Sequence, residues 1–160
     1  MPTMPLHPII VHFPIALGLI SPLLILGLWM GMMRRKWPAK TWLLVVGMHF
    51  ILFASSLAAV KTGEMDEHKV EPYVTEQALE DHEELGEKMP WVFGTLLGAS
   101  LLPLVFPRKQ KALVTTTLVL SIASTAMIIP TGHTGGKLVY EHGAANAHVT
   151  SPPATKSDQD

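Results

Sequence analysis

Four long uncharged runs, 8–33, 41–60, 89–107 and 112–131, leave this chain few ways to fold. Each is about 19 to 26 residues, long enough to cross a hydrocarbon core of ~30 Å as a helix. The chain is 48% hydrophobic and 16% charged, and the apolar residues come in blocks that a soluble domain of this length could not bury. The predicted fold is all-α, a four-transmembrane-helix bundle over residues 1–143. An acidic outer loop, 61–88, interrupts it, with the part from Tyr73 to Met89 expected to run as a helix into the third span, and a polar tail, 144–160, is expected to be disordered. The first run has no basic segment before it and no cleavage pattern after it, so it is read as a retained helix rather than a signal peptide.

Charge placement predicts the orientation. The stretches "RRKWPAK" and "PRKQK", between runs one and two and between runs three and four, hold seven of the twelve Lys and Arg and no acid. The positive-inside rule makes both cytoplasmic. All thirteen acidic residues then lie on the opposite side, and both chain termini face outward, to the periplasm of a bacterial inner membrane. A net charge of -1 and the lack of a basic surface speak against nucleic acid as a partner.

With no cysteine, covalent c-type haem attachment and thiolate metal sites are excluded, so metal chemistry falls to histidine, carboxylate or methionine. Seven of the eight histidines are read at or beyond the outer ends of the spans. In an up-down bundle those ends meet at one depth, so imidazoles distant in sequence can converge. His12, in the first turns of the first run, would be costly there without a partner. His7 lies five positions earlier, about 140° round a helix of 3.6 residues per turn. The two cannot aim at one ligand from one face, which leaves one site plus a capping residue or two sites.

His82 shares helical spacing with Leu79, Gly86 and Met89 in "ALEDHEELGEKMPW", so an apolar stripe carries it inward. Gly86, one turn on, is expected to leave room for a flat macrocycle. After the fourth run, "PTGHTGGKLVYEHG" suggests that Pro130 and Gly132 end the helix. Gly135 and Gly136 would then reverse the chain, folding His133 and His142 over the outer mouth. His49 lies near mid-membrane with no histidine at matching depth and reads as a polar residue hydrogen-bonded across helices.

These parts suit a b-type haem, one or two copies, held by axial imidazoles from different elements. His12 with His82 is the first expected pair, and His7 with His133 or His142 would complete a second site or replace one member. Lys61, Lys137, Tyr140 or backbone amides could receive the propionates. The reading is an electron-transfer subunit working near the outer face with a redox or cytochrome partner, without a catalytic acid, base or nucleophile of its own. Copper handling is the second expectation, since histidines and methionines together suit that ion. A cofactor-free anchor or assembly subunit is the third. Gly94 and Gly98 supply one GxxxG, weak support for a homo-oligomer.

The segments "HPIIVHFPIAL", "TGEMD", the histidine before the third run and "TGHTGGKLVYEHG" together resemble the bacterial membrane family catalogued as domain of unknown function 2231, over residues 6–143. The resemblance implies a four-helix membrane domain, found beside or fused to respiratory and c-type cytochrome proteins. On this pattern His7, His12, Gly63, Asp66, His82, Gly135, Gly136, Tyr140 and Gly143 match the family's motifs. His133 and His142 match less fixed positions, and His49 lies outside every motif.

Overall fold

A computed structural model describes residues 5–34 and 37–149. It contains α1 (Leu6–Ile10), α2 (His12–Met33), α3 (Leu43–Val70), α4 (Glu76–Val105), α5 (Gln110–Tyr140) and α6 (Asn146–Val149), with short 3-10 turns between them and no strand among the described residues. Four helical segments are long and apolar enough to cross a membrane. Helices α2, α3, α4 and α5 pack in chain order, and α5 closes the ring against α2. The bundle therefore has a terminal end, where the described chain starts and stops, and a basic end, formed by the two Lys/Arg-rich connections.

The inward faces repeat every three or four residues: Pro14, Gly18, Ser21, Ile25 and Leu28 on α2, and Val45, His49, Leu52, Ser56 and Ala59 on α3. Outward residues such as Leu23 and Ile129 are large, apolar and exposed, as lipid-facing positions must be. One apolar cluster, Ile25, Leu28, Trp42, Val45 and Val114, fills the basic half of the interior. A second, Leu52, Met89, Phe93, Leu96 and Ile128, fills the terminal half.

Two prolines inside the helices have a matched answer on α5. Proline carries no N–H, so each frees the carbonyl four residues earlier, and a free carbonyl in a bilayer needs another donor. Pro22 frees Gly18, whose carbonyl accepts from the Thr125 hydroxyl at 2.9 Å. Pro103 frees Ala99, whose carbonyl accepts from the Thr117 hydroxyl at 3.2 Å. The two threonines lie eight residues apart, about two turns, and so fasten α5 to α2 and to α4 from one helix.

Beyond the apolar runs the helices continue at the terminal end. Helix α4 begins at Glu76, so the stretch before the third run is helical as expected, while α3 extends to Val70 and makes the first part of the acidic segment helical too. Helix α5 departs most from expectation: it passes through Pro130, Gly132, Gly135 and Gly136 to Tyr140, and the chain reverses only at Gly143, with φ 79°. Packing explains this. Ile128 and Leu138 are both buried, so contacts on either side of the weak helix formers hold the helix together. Residues 144–149 form a turn and α6, with Ala144 buried, and the expectation of disorder for the rest of the tail falls on residues outside those described.

Candidate functional site

His82 lies on α4 seven residues before the third apolar run, roughly 10 Å beyond it along the helix. Its ring stands against α5, where Gly135 comes so close that an added Cβ would lie 2.9 Å from Cε1. His82 Nδ1 is 3.0 Å from the Thr134 hydroxyl oxygen. With that hydroxyl donating its single proton to the Thr131 carbonyl at 3.0 Å, the imidazole is the donor in the first bond. The proton is thereby assigned to Nδ1, and Nε2 carries the lone pair.

His7 reaches the same place from α1. Its Nδ1–H donates to the Ala59 carbonyl on α3 at 2.8 Å. A carbonyl can only accept, so in the neutral ring Nε2 again carries the lone pair. A Cβ added at Gly63, one turn beyond Ala59, would lie 3.3 Å from His7 Cε1 and Nδ1. The two ring centroids are 6.1 Å apart and their planes meet at 81°. One imidazole is thus braced by α3 and the other by α5, each against a glycine, and neither Nε2 has a hydrogen-bond partner among the described residues.

Electrostatics favour the neutral form of His82. His82 is pushed below the usual histidine range, first by burial and second by His7, with the Thr131 carbonyl acting in the opposite direction. Its neighbour Glu83 is pushed up, first by burial and then by Glu67, Glu87 and Glu80. Two imidazoles held this close, neither Nε2 hydrogen-bonded among the described residues, are a pair of Lewis bases that one cationic centre could share.

The other expected residues fall elsewhere. His12 is exposed, and its Nδ1–H bonds to the Pro8 carbonyl of its own turn. His12 therefore does not stand with His82; His7 takes that position, and the two N-terminal histidines occupy different faces. Gly86 does not touch His82, since open space surrounds the position of its missing Cβ. His133 is exposed, as is Tyr140, by 90%. His142 is half-buried and lines a cleft of about 220 Å3 with Thr75, Gln77, Asp81, Thr134 and Lys137. Because α5 does not reverse at Gly135, neither His133 nor His142 folds over the pair. No group of three or more His, Asp or Glu side chains is gathered as a metal cluster among the described residues.

Sequence reasoning passed over Thr134 and gave Gly63 and Gly135 no contact. The available signal was "TGHTGG", where a hydroxyl and a glycine lie side by side on the helix that meets His82. His49 is as read: fully buried, its Nε2 is paired with the Ser21 hydroxyl across α2 and α3 at 2.8 Å.

The fold and site define a four-helix membrane protein whose terminal end holds a glycine-braced pair of imidazoles. The chain belongs to the family described as "Predicted membrane protein (DUF2231)", whose match covers residues 3–148. No curated protein and no solved structure gives a match.

Proposed function

We propose that His7 and His82 are the paired ligands of a metal centre, the iron of a b-type haem, and that the protein transfers single electrons at the terminal end. The observation that carries this reading is the pair itself. The ring centroids stand 6.1 Å apart, close enough that one metal ion would draw a nitrogen from each. Both Nδ1–H groups are committed to oxygen acceptors, the outer arrangement that orients a metal-bound histidine and makes it more basic. When bound, such a group supplies a one-electron couple tuned by its axial ligands and its burial. The chain's own residues orient the two imidazoles through Ala59, Thr134, Gly63 and Gly135.

A second reading has its own observation. Two clefts, one lined by 107–112 and one by the Thr75–His142 group, do not include His7 or His82 in their walls. A bare copper(I) ion between the two Nε2 atoms needs no slot for a macrocycle and accepts neutral imidazoles. The basic connections face the cytoplasm in this proposal, by the positive-inside rule. The site then lies on the outer face of a bacterial inner membrane, open to a periplasmic redox or cytochrome partner.

The test is a pyridine haemochrome and reduced-minus-oxidised spectrum of the detergent-purified protein, with elemental analysis of the same sample. A b-type signal lost in His82→Ala supports haem. Stoichiometric copper without a Soret band, lost in the same variant, supports the bare ion. Neither signal after expression with ample haem and copper overturns the metal centre and leaves an anchor or assembly role.

A further inference from the structure

The middle of the bundle holds a second polar feature, unconnected with the terminal pair. Ser21 and His49 lie near the centres of runs 8–33 and 41–60, and both are 0% exposed. His49 Nε2 is paired with Ser21, but Nδ1 is buried without a partner. An ionisable side chain at this depth with an orphaned nitrogen is costly unless something completes it.

Its surroundings indicate what. On α3, His49 falls between Val45 of one apolar cluster and Leu52 of the other. On α5 the buried residues between Val114 and Ile128 of the same clusters are Thr117, Ser121 and Ser124. The Thr125 bond to Gly18 aligns α5 with α2 and puts Ser21 at the level of Ser121. The layer is therefore polar on at least three helices and closed above and below by hydrocarbon.

Its hydroxyls are arranged to accept. Ser121 donates to the Leu118 carbonyl at 2.7 Å and Ser124 to the Leu120 carbonyl at 2.8 Å, both within α5. Their protons are used, and their oxygen lone pairs remain for a donor. No carboxylate is among the buried residues, so nothing in the layer would offset the charge of a metal ion or other cation. A neutral ligand with donors and an acceptor satisfies every group: it donates to the serine oxygens and pairs with Nδ1 whichever tautomer His49 adopts.

We propose that this layer is a binding site for an internal water molecule, bridging His49 Nδ1 on α3 to the hydroxyl oxygens of Ser121 or Ser124 on α5. Such a water makes two to four hydrogen bonds to buried polar groups and is retained for that reason. It links α3 to α5, which face each other diagonally and otherwise meet little.

The test is water-edited NMR of the full chain, labelled at histidine with nitrogen-15, in lipid nanodiscs. The expected result is magnetisation transfer from water to the His49 ring together with a hydrogen-bonded Nδ1 shift. A His49 ring that receives no transfer, in a sample where the exposed His12 ring does, overturns the site. In the double variant Ser121→Val, Ser124→Val, the His49 transfer should fall several-fold while Ser21 pairing persists. An unchanged transfer contradicts the bridge to α5.

Discussion

The mid-membrane layer and the terminal end use the same side chains for opposite purposes. At mid-depth, hydroxyls and His49 are spent on architecture: threonines complete carbonyls freed by proline, serines bond to their own helices, and the imidazole joins α3 to α2. At the terminal end His7 and His82 also bond to neighbours, but only through Nδ1. Each is held by one nitrogen, as His49 is, but here a second imidazole stands 6.1 Å away. What distinguishes the terminal end is that two such rings stand together, each braced by a glycine.

The largest effect that would break this contrast comes from Gly135. Gly135→Leu drives a side chain into the space of the His82 ring, whose Cε1 already stands 2.9 Å from a bare Cβ. Overpacking of that kind costs about 1–3 kcal/mol, and bound haem or copper should fall at least tenfold, read by absorbance or elemental analysis. The same substitution at Gly98, where a Cβ meets nothing, should leave metal content unchanged.

Acidification should separate the regions next. The folded pKa of His82 lies below its unfolded value, so the unfolded chain binds more protons and stability rises with pH in this window. The contribution is complete above the unfolded value near 6.5 and is lost as pH falls through the lowered one. Thermal unfolding in detergent should shift down between pH 7.5 and pH 5, and His82→Gln should flatten that slope. Glu83 acts in the opposite sense, because its raised pKa relieves repulsion as it protonates. A slope unaltered in His82→Gln would assign the effect elsewhere.

A smaller effect should mark the architectural half. Thr125→Val keeps the shape but leaves the Gly18 carbonyl without its cross-helix donor. A loss of about 0.6–2 kcal/mol is expected in a detergent unfolding titration, with metal content intact. Smallest of all, Lys61→Ala removes an exposed ion pair with Glu64 and should change stability by less than about 0.5 kcal/mol.

Much of the bundle was legible because span length and charge are one-dimensional properties. The four apolar runs, the two basic connections and the convergence of histidines at one end need no knowledge of rotation. The choice between His7 and His12 does. On α2 the buried residues are Pro14, Gly18, Ser21, Ile25 and Leu28, yet the lipid-facing side is equally apolar, so the sequence carries no amphipathic phase to show which side turns inward. His12, deeper in the run and flanked by Phe13 and Pro14, looked the more constrained; its position two residues from Pro14 turns it about 200° away from the buried stripe. The end of α5 was misread for a related reason. Pro130 and three glycines have poor intrinsic helix propensity, and only the buried Ile128 and Leu138 reveal that packing outweighs it.

The most direct test of the account compares His7→Ala with His12→Ala in the purified, metal- or haem-loaded protein. If His7 and His82 are the ligand pair, His7→Ala abolishes or strongly shifts the spectrum and lowers the bound group at least tenfold, while His12→Ala leaves both as they are. A spectrum and content retained in His7→Ala but lost in His12→Ala would contradict it.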